Sequence, residues 1–133
     1  MHYAITYVST ASESLTAQDI SELLKYSKHS NNDDDITGIL LFSEGNFFQV
    51  LEGKKEKVLA LYEKIKNDDR HRNIIKIISK EIHKEAYDGY EADFISENSY
   101  VNPEKFQDYL NYLKVLDKPT QVAVENMLKA FII

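Results

Sequence analysis

The first residues of the chain alternate in a pattern that predicts a β-strand. Over residues 3–9, YAITYVS, the odd-numbered side chains share one face and the even-numbered side chains share the other. Neither face is strongly polar. A strand with apolar residues on both faces is typical of the interior of a sheet that is covered on both sides. We therefore predict a central strand at this position.

Two later segments place apolar residues at helical spacing. The first spans residues 16–30, where Thr16 is the predicted N-cap, Asp19 completes a capping-box pattern and the polar run HSNNDDD ends the helix. The second spans about residues 54–67. The stripes that face the core are Ile20, Leu23, Leu24 and Ser27 in the first helix and Val58, Leu61, Tyr62 and Ile65 in the second.

Strands are predicted around these two helices. Residues 36–53 indicate a hairpin, because two apolar runs flank the turn residues SEGN. Residues 73–83 and 90–96 follow as a fourth and a fifth strand. The order β-α-β-β-α-β with one added strand is that of a ferredoxin-like α+β fold. Right-handed crossovers then place both helices on one face of the sheet and give the strand order 4-1-3-2.

A glutamine stands at the centre of the third predicted strand, in the stretch GNFFQVLEG. Gln49 shares a face with Phe47 and Leu51. Burying its amide there without hydrogen-bond partners would cost about 1–3 kcal/mol. Because strands 1 and 3 are neighbours in the predicted order, we expect Tyr7 on strand 1 to meet Gln49.

The chain divides into a main domain and an extension. Residues 1–96 contain the predicted sheet and its two helices, and residues 97–133 form a predicted helical extension. Pro103 and Pro119 stand at the starts of two short apolar helices, where proline is favoured. Such helices must pack on something, so we expect them on the sheet face opposite the first two helices.

The composition is that of a globular chain. Its 133 residues are 43% hydrophobic and 29% charged, which suits one domain with a hydrophobic core. The net charge of −6 argues against a nucleic-acid surface, and the lack of cysteine excludes disulfides. The N-terminus has no signal-peptide pattern, and no segment approaches the roughly 20 apolar residues of a membrane span. We therefore expect a cytoplasmic protein without membrane contact.

The common catalytic patterns are missing from the sequence. No serine lies in a nucleophile-elbow context, and no glycine-rich phosphate loop is present. The histidines show no metal-ligand spacing; they are His2, His29, His71 and His83. An acylphosphatase-like enzyme shares the predicted element order, but the stretch STASESL after the first strand lacks the basic residue of its phosphate loop.

Three polar residues of the first β-α-β-β unit remain as candidates for a binding site. Each has an ordinary structural explanation: Tyr7 as an amphipathic core residue, Asn31 as a helix cap and Gln49 as a satisfied core amide. Together they supply donors and acceptors at the mouth of a cleft between the two helices. Such a cleft suits a flat heteroaromatic ligand.

Four stretches resemble the BLUF family of blue-light sensors that use flavin. They are ITYVSTAS, SNNDDDITGILLF, GNFFQVLEG and VLALYEKIKNDDRH, and the resemblance covers residues 1 to about 96 in order and nearly without gaps. Some positions depart from the family pattern. Asp35 stands where a glycine precedes ITG, and Asp69 stands where a proline is usual.

The resemblance implies roles for individual residues. The family's photoactive tyrosine falls on Tyr7, its switching glutamine on Gln49 and its flavin-binding asparagine on Asn31. Further flavin-contacting positions fall on Ser30, Lys64, Asp68, Arg70 and His71. The fifth strand is implied to be the output strand, and it carries Tyr90 and Ala92 where the family usually has Trp and Met.

The resemblance implies a light-driven switch and not an enzyme. Tyr7 would give an electron to the excited flavin, a proton would follow through Gln49, and the return would leave the Gln49 amide rotated or tautomerised, with a red-shifted absorption. FAD is the expected flavin, with FMN possible. The walls of the slot that covers the faces of its ring are expected to be Leu23 and Leu24 of the first helix and Val58, Leu61 and Ile65 of the second. The signal would leave through an unidentified downstream protein or a change in self-association. The alternative is a module of the same fold that senses a ligand or redox state through flavin, without productive photochemistry.

Overall fold

A five-stranded sheet and two long helices make up most of the residues that the structure describes. The computed structural model describes residues 2–43, 45–83 and 89–94, and helical positions at Lys118, Pro119, Val122, Glu125 and Asn126. The elements are β1 (His2–Ala11), α1 (Ala17–Asp33), β2 (Thr37–Ser43), β3 (Asn46–Lys54), α2 (Lys55–Lys66), β4 (His71–Ile82) and β5 (Tyr90–Phe94).

The predicted ferredoxin-like α+β fold is confirmed. The sheet order is β4-β1-β3-β2-β5, so the predicted arrangement 4-1-3-2 is present and β5 extends it at the β2 edge. The first four strands pair antiparallel, whereas β5 pairs parallel to β2. This order places β1 directly beside β3, as the sequence predicts.

Helix α1 begins where the sequence predicts and ends later. The capping box is formed: the Asp19 backbone N–H donates to the Thr16 hydroxyl at 3.1 Å, and the Thr16 N–H donates to the Asp19 carboxylate at 2.9 Å. The predicted end at residue 30 is wrong, because the helix continues to Asp33. Asn31 therefore lies in the last helical turn, buried, and is not a cap.

Two positions at the start of β2 require special backbone geometry. Asp35, which stands where the family has glycine, has a φ of 59°, in the left-handed region that glycine adopts at least cost. Three residues on, a Cβ added at Gly38 would lie 1.9 Å from the Val50 carbonyl oxygen. Glycine at position 38 thus allows β2 to pair closely with β3.

The hydrophobic core lies between the sheet and the two helices. It includes Ile5 and Leu51 from the sheet and Leu24 and Val58 from the helices. The opposite face also carries buried side chains, which are Ala4, Thr6, Ile39, Leu41, Phe48, Val50 and Glu52. The predicted packing of residues 97–133 on that face lies outside the described residues, apart from the five helical positions named above.

Candidate functional site

The amide of Gln49 lies between two tyrosine hydroxyls. Tyr7 and Gln49 are directly paired residues of β1 and β3. The Gln49 Nε2 donates to the Tyr7 hydroxyl, and the Tyr90 hydroxyl donates to Gln49 Oε1. All three side chains are at most 3% exposed. Both ends of the buried amide are thus satisfied, as a polar group in a core requires.

Tyr7 is enclosed behind Gln49. Its ring centroid lies 5.8 Å from that of Tyr62 on α2 and 6.3 Å from that of His71 on β4. Burial is the main cause that raises the pKa of Tyr7 well above its usual value, and the hydrogen bond with Gln49 opposes the rise only in part. Tyr7 therefore holds its proton at neutral pH.

A cavity of about 190 Å³ opens in front of Gln49 between α1 and α2. Every residue that the sequence assigns to cofactor binding lines it; these are Ser30, Asn31, Gln49, Lys64, Asp68, Arg70 and His71. Tyr7 does not line the cavity, but it contacts two residues that do: it is hydrogen-bonded to Gln49, and its ring lies beside that of His71. Residues from both helices, from β3 and from the start of β4 are thus brought together.

The apolar walls differ in part from the prediction. Leu23 of α1 and Leu61 and Ile65 of α2 line the cavity as expected. The expectation that Leu24 and Val58 also form its walls is wrong, because both side chains are buried in the core instead. Sequence reasoning missed two lining residues, Tyr26 and Leu40. Ser27, which belongs to the predicted stripe of the first helix, also lines the cavity.

The position of Leu40 could have been found from the strand pattern. Leu40 is the β2 residue paired with Gln49, so the two share a face of the sheet. The apolar wall that it adds lies on the sheet side of the cavity. Tyr26 has a weaker signal, since it lies on the exposed side of α1.

A charged pair marks the segment between α2 and β4. The Arg70 Nε donates to Asp68 Oδ1 at 3.0 Å, and Nη2 donates to Oδ2 at 2.6 Å. Arg70 holds the pKa of the Asp68 carboxyl below its usual value, through this hydrogen bond first. With Lys64, Arg70 gives the cavity two cationic side chains.

His71 begins β4 and lies deeper in the site. Its Nδ1 is 3.0 Å from the Ser9 hydroxyl oxygen, and its ring centroid is 4.6 Å from that of Phe47. Burial lowers the pKa of His71, Asp68 opposes this shift and Arg70 adds to it. We therefore expect a neutral imidazole beside Tyr7 at pH 7.

The lowered pKa of His71 predicts a pH-dependent stability. The unfolded chain binds a proton near the usual pKa of 6.5, whereas the folded protein binds it only at lower pH. The stabilisation is therefore present above about pH 6.5 and is lost as the pH falls through the folded-state pKa. In His71→Gln, the melting temperature should fall less between about pH 7 and about pH 5 than in the wild type.

Thermal unfolding at several pH values measures this difference. His83→Gln, which removes an exposed histidine just beyond β4, is the control for a general loss of positive charge. Equal slopes of melting temperature against pH in wild type and His71→Gln would contradict the assignment of a buried neutral imidazole to position 71.

The predicted output strand contributes directly to the site. Tyr90 is buried and hydrogen-bonded to Gln49, and Ala92 is partly buried against the core. The Asn32 side chain, which sequence reasoning missed, holds the Tyr90 backbone: Tyr90 N–H donates to Asn32 Oδ1, and Asn32 Nδ2 donates to the Tyr90 carbonyl, each at 3.0 Å. The last turn of α1 is thereby tied to the start of β5.

The donors and walls of the cavity fit a flavin. Aliphatic side chains from α1, α2 and β2 suit the faces of a flat ring system. The amides of Asn31 and Gln49 each offer a donor and an acceptor, which suits an edge of carbonyls and ring nitrogens. Lys64 and Arg70 provide positive charge for a phosphate-bearing chain.

No cluster of His, Asp or Glu in the part of the chain that the structure describes is arranged to hold a metal ion. None of the helices there has the length and apolar character needed to cross a membrane.

Comparison with known proteins identifies similar sequences. The family model "BLUF: Sensors of blue-light using FAD" matches residues 2–93. The chain is 35% identical over 83 residues to "Photoactivated adenylate cyclase subunit beta" of Euglena longa, which covers 62% of this chain and 10% of that protein. It is 36% identical over 74 residues to "Blue light- and temperature-regulated antirepressor BluF" of Escherichia coli K12, covering 56% and 18%. The chain thus matches only a small part of these curated relatives.

Solved structures share the whole arrangement. "BlrP1 BLUF", from the Klebsiella pneumoniae protein BlrP1, superposes with a TM-score of 0.75 at 26% identity, over 99% of this chain and 90% of that chain. The similarity extends to nearly the full length of both chains and supports the same architecture.

Proposed function

The chain belongs to the BLUF family of blue-light sensors that use flavin, and we propose that Tyr7 and Gln49 form its light-operated switch. The observation that carries this proposal is the Gln49 amide, buried between Tyr7 and Tyr90 at the wall of a cavity suited to flavin. A flavin bound there supplies blue-light absorption and a site that takes up an electron.

The chain's own residues hold the ring and set its environment. Asn31 can donate to a carbonyl and accept from a ring N–H, because a primary amide offers both functions. Leu23, Leu61 and Ile65 line the cavity and would exclude water from the faces of the ring. Arg70, held in place by Asp68, presents positive charge at the cavity.

Tyr7 is placed to release an electron and a proton together and to recover both. Its hydroxyl accepts a hydrogen bond from Gln49 Nε2, which has no lone pair to take a proton. The proton would pass to Gln49 Oε1 once the amide turns towards Tyr7, and it would return to Tyr7 by the same route. The raised pKa of Tyr7 keeps that proton in place in the dark. Because electron and proton both return, no bond is made or broken overall, and the lasting product is a different orientation of the Gln49 amide.

The proposed activity is therefore a switch without chemical turnover. The matching cyclases are light-regulated enzymes by name, but the BLUF region that this chain shares with them is the sensor. The alternative, a flavin-dependent sensor of a ligand or redox state, requires no movement of Gln49. Illumination distinguishes the two, since only the photoreceptor changes its flavin absorption reversibly under blue light.

We propose FAD as the resident flavin. The family description names FAD, whereas FMN is named with BlrP1 in one solved structure. Lys64 and Arg70 would suit the phosphate of either flavin. Chromatography of the cofactor released by denaturing the purified protein should yield FAD; release of FMN alone would overturn this assignment but not the switch.

We propose that the signal passes to a separate protein or to a second copy of this chain. The proposed route is a helical extension, residues 97–133, that covers the sheet face opposite α1 and α2; the burial of Leu41 and Phe48 on that face supports this. The apparent size should differ between dark and illuminated protein on size-exclusion chromatography. An identical monomer in both states would exclude self-association and leave the separate partner.

A further inference from the structure

A chain of hydrogen bonds joins Tyr7, Gln49 and Tyr90, with Gln49 in the middle. On one side, Gln49 Nε2 donates to the Tyr7 hydroxyl. On the other side, Gln49 Oε1 accepts from the Tyr90 hydroxyl. The orientation of the amide is thus set from both ends, and the residue at the second end belongs to β5.

The hydroxyl of Tyr90 is a neutral donor that stays in place. Burial raises the pKa of Tyr90 well above its usual value, and a hydrogen bond with Asn31 opposes the rise only in part. The backbone on both sides of the ring is fixed by Asn32, whose amide also donates to the Lys28 carbonyl at 2.8 Å. Neither the charge nor the position of this hydroxyl changes easily.

We propose that Tyr90 is a positioning residue that fixes the resting orientation of the Gln49 amide and lets the amide invert while β5 stays in place. This inference rests on the proposed function, since it concerns the same switch. A phenol hydroxyl can donate or accept. When the amide inverts, Nε2 faces Tyr90 and Oε1 faces Tyr7, and both contacts are satisfied if each hydroxyl exchanges its role.

The role exchange distinguishes a tyrosine from a residue that only donates. An indole N–H at position 90 could donate to Gln49 Oε1 in the resting orientation, but it could not accept from Nε2 after inversion. Two donors would then face each other, and an unsatisfied buried donor destabilises the inverted form. Tyr90 thus makes the two orientations more equal in free energy, so the signalling state should persist longer than it would with tryptophan.

Two variants at position 90 test the proposal. In Tyr90→Phe the resting orientation loses its donor, so the Gln49 carbonyl band in isotope-edited infrared spectra should split between two orientations in the dark. In Tyr90→Trp the dark band should match the wild type, but recovery in darkness after blue light should be about tenfold faster, because one buried donor is unsatisfied in the inverted form.

Tyr3→Phe is the matched control. Tyr3 lies on the same strand as Tyr7, and its hydroxyl is hydrogen-bonded to Ser79 Oγ at 2.7 Å. The loss of this hydroxyl should leave both the dark carbonyl band and the recovery rate unchanged. A single wild-type carbonyl band in Tyr90→Phe, or a wild-type recovery rate in Tyr90→Trp, would overturn the proposal. Absence of any red shift in the wild type would instead overturn the proposed function.

Discussion

Gln49→Leu is expected to abolish the light-induced red shift while the protein still binds flavin. Leucine has nearly the same size and keeps the cavity wall closed, but it has no amide to invert. It also leaves the hydroxyls of Tyr7 and Tyr90 without their shared partner. We expect a loss of about 1–3 kcal/mol in the free energy of unfolding for each hydroxyl left without a partner, together with a flat difference spectrum after blue light.

Absorption spectra of the flavin-loaded variant in the dark and after illumination measure the effect. Gln18→Leu is the control, because it makes the same substitution on the exposed face of α1. There the Gln18 Nε2 donates to Glu22 Oε1 at 3.3 Å, and Gln18 does not line the cavity. That variant should show the full shift. A normal shift in Gln49→Leu would refute the assignment of the switch to this amide.

Tyr7→Phe is expected to remove the photocycle entirely. The substitution keeps the ring that packs against Tyr62 and His71, and it deletes only the hydroxyl that accepts from Gln49. Phenylalanine is a far poorer electron donor than tyrosine and has no acidic proton to release. The flavin should therefore remain bound and fluorescent, with no red-shifted state formed under blue light.

Tyr62→Phe separates this effect from a general loss of tyrosine. Tyr62 is also buried, and its ring centroid lies 5.8 Å from that of Tyr7, but its hydroxyl does not contact Gln49 in the structure. The control should form the red-shifted state in normal yield. If Tyr7→Phe formed that state as well, Tyr90 would become the candidate electron donor.

The pairing of Tyr7 with Gln49 could be predicted from the sequence because two simple rules determine it. The alternating pattern assigns both residues to one face of their strands, and the β-α-β-β-α-β order makes β1 and β3 neighbours. Neither rule depends on long side chains or loop conformations. The flavin itself came from the resemblance, which also supplied the charged residues of the cavity.

The end of α1 and the contacts of β5 could not be predicted in the same way. The polar run HSNNDDD suggests a solvated helix end, and its composition does not reveal that Asn31 alone turns inward and is buried. Asn32 contacts a strand 58 residues further along the chain. Local patterns contain no information on such a contact, which depends on where the final strand joins the sheet.

The residues at positions 90 and 92 differ from the family pattern. From the sequence, Tyr90 and Ala92 are substitutions for Trp and Met on an output strand. In the structure, Tyr90 is hydrogen-bonded to the Gln49 amide, which we propose as the switch. The change of side chain would therefore alter the proposed switch as well as the proposed output strand.

The proposed switch can be tested by recording the absorption spectrum of the purified wild-type protein in darkness and again after blue light. We expect a yellow protein whose flavin absorption moves to longer wavelength under blue light and returns in darkness. A flavin-loaded protein whose spectrum does not change, or a colourless protein that takes up no added flavin, would contradict it.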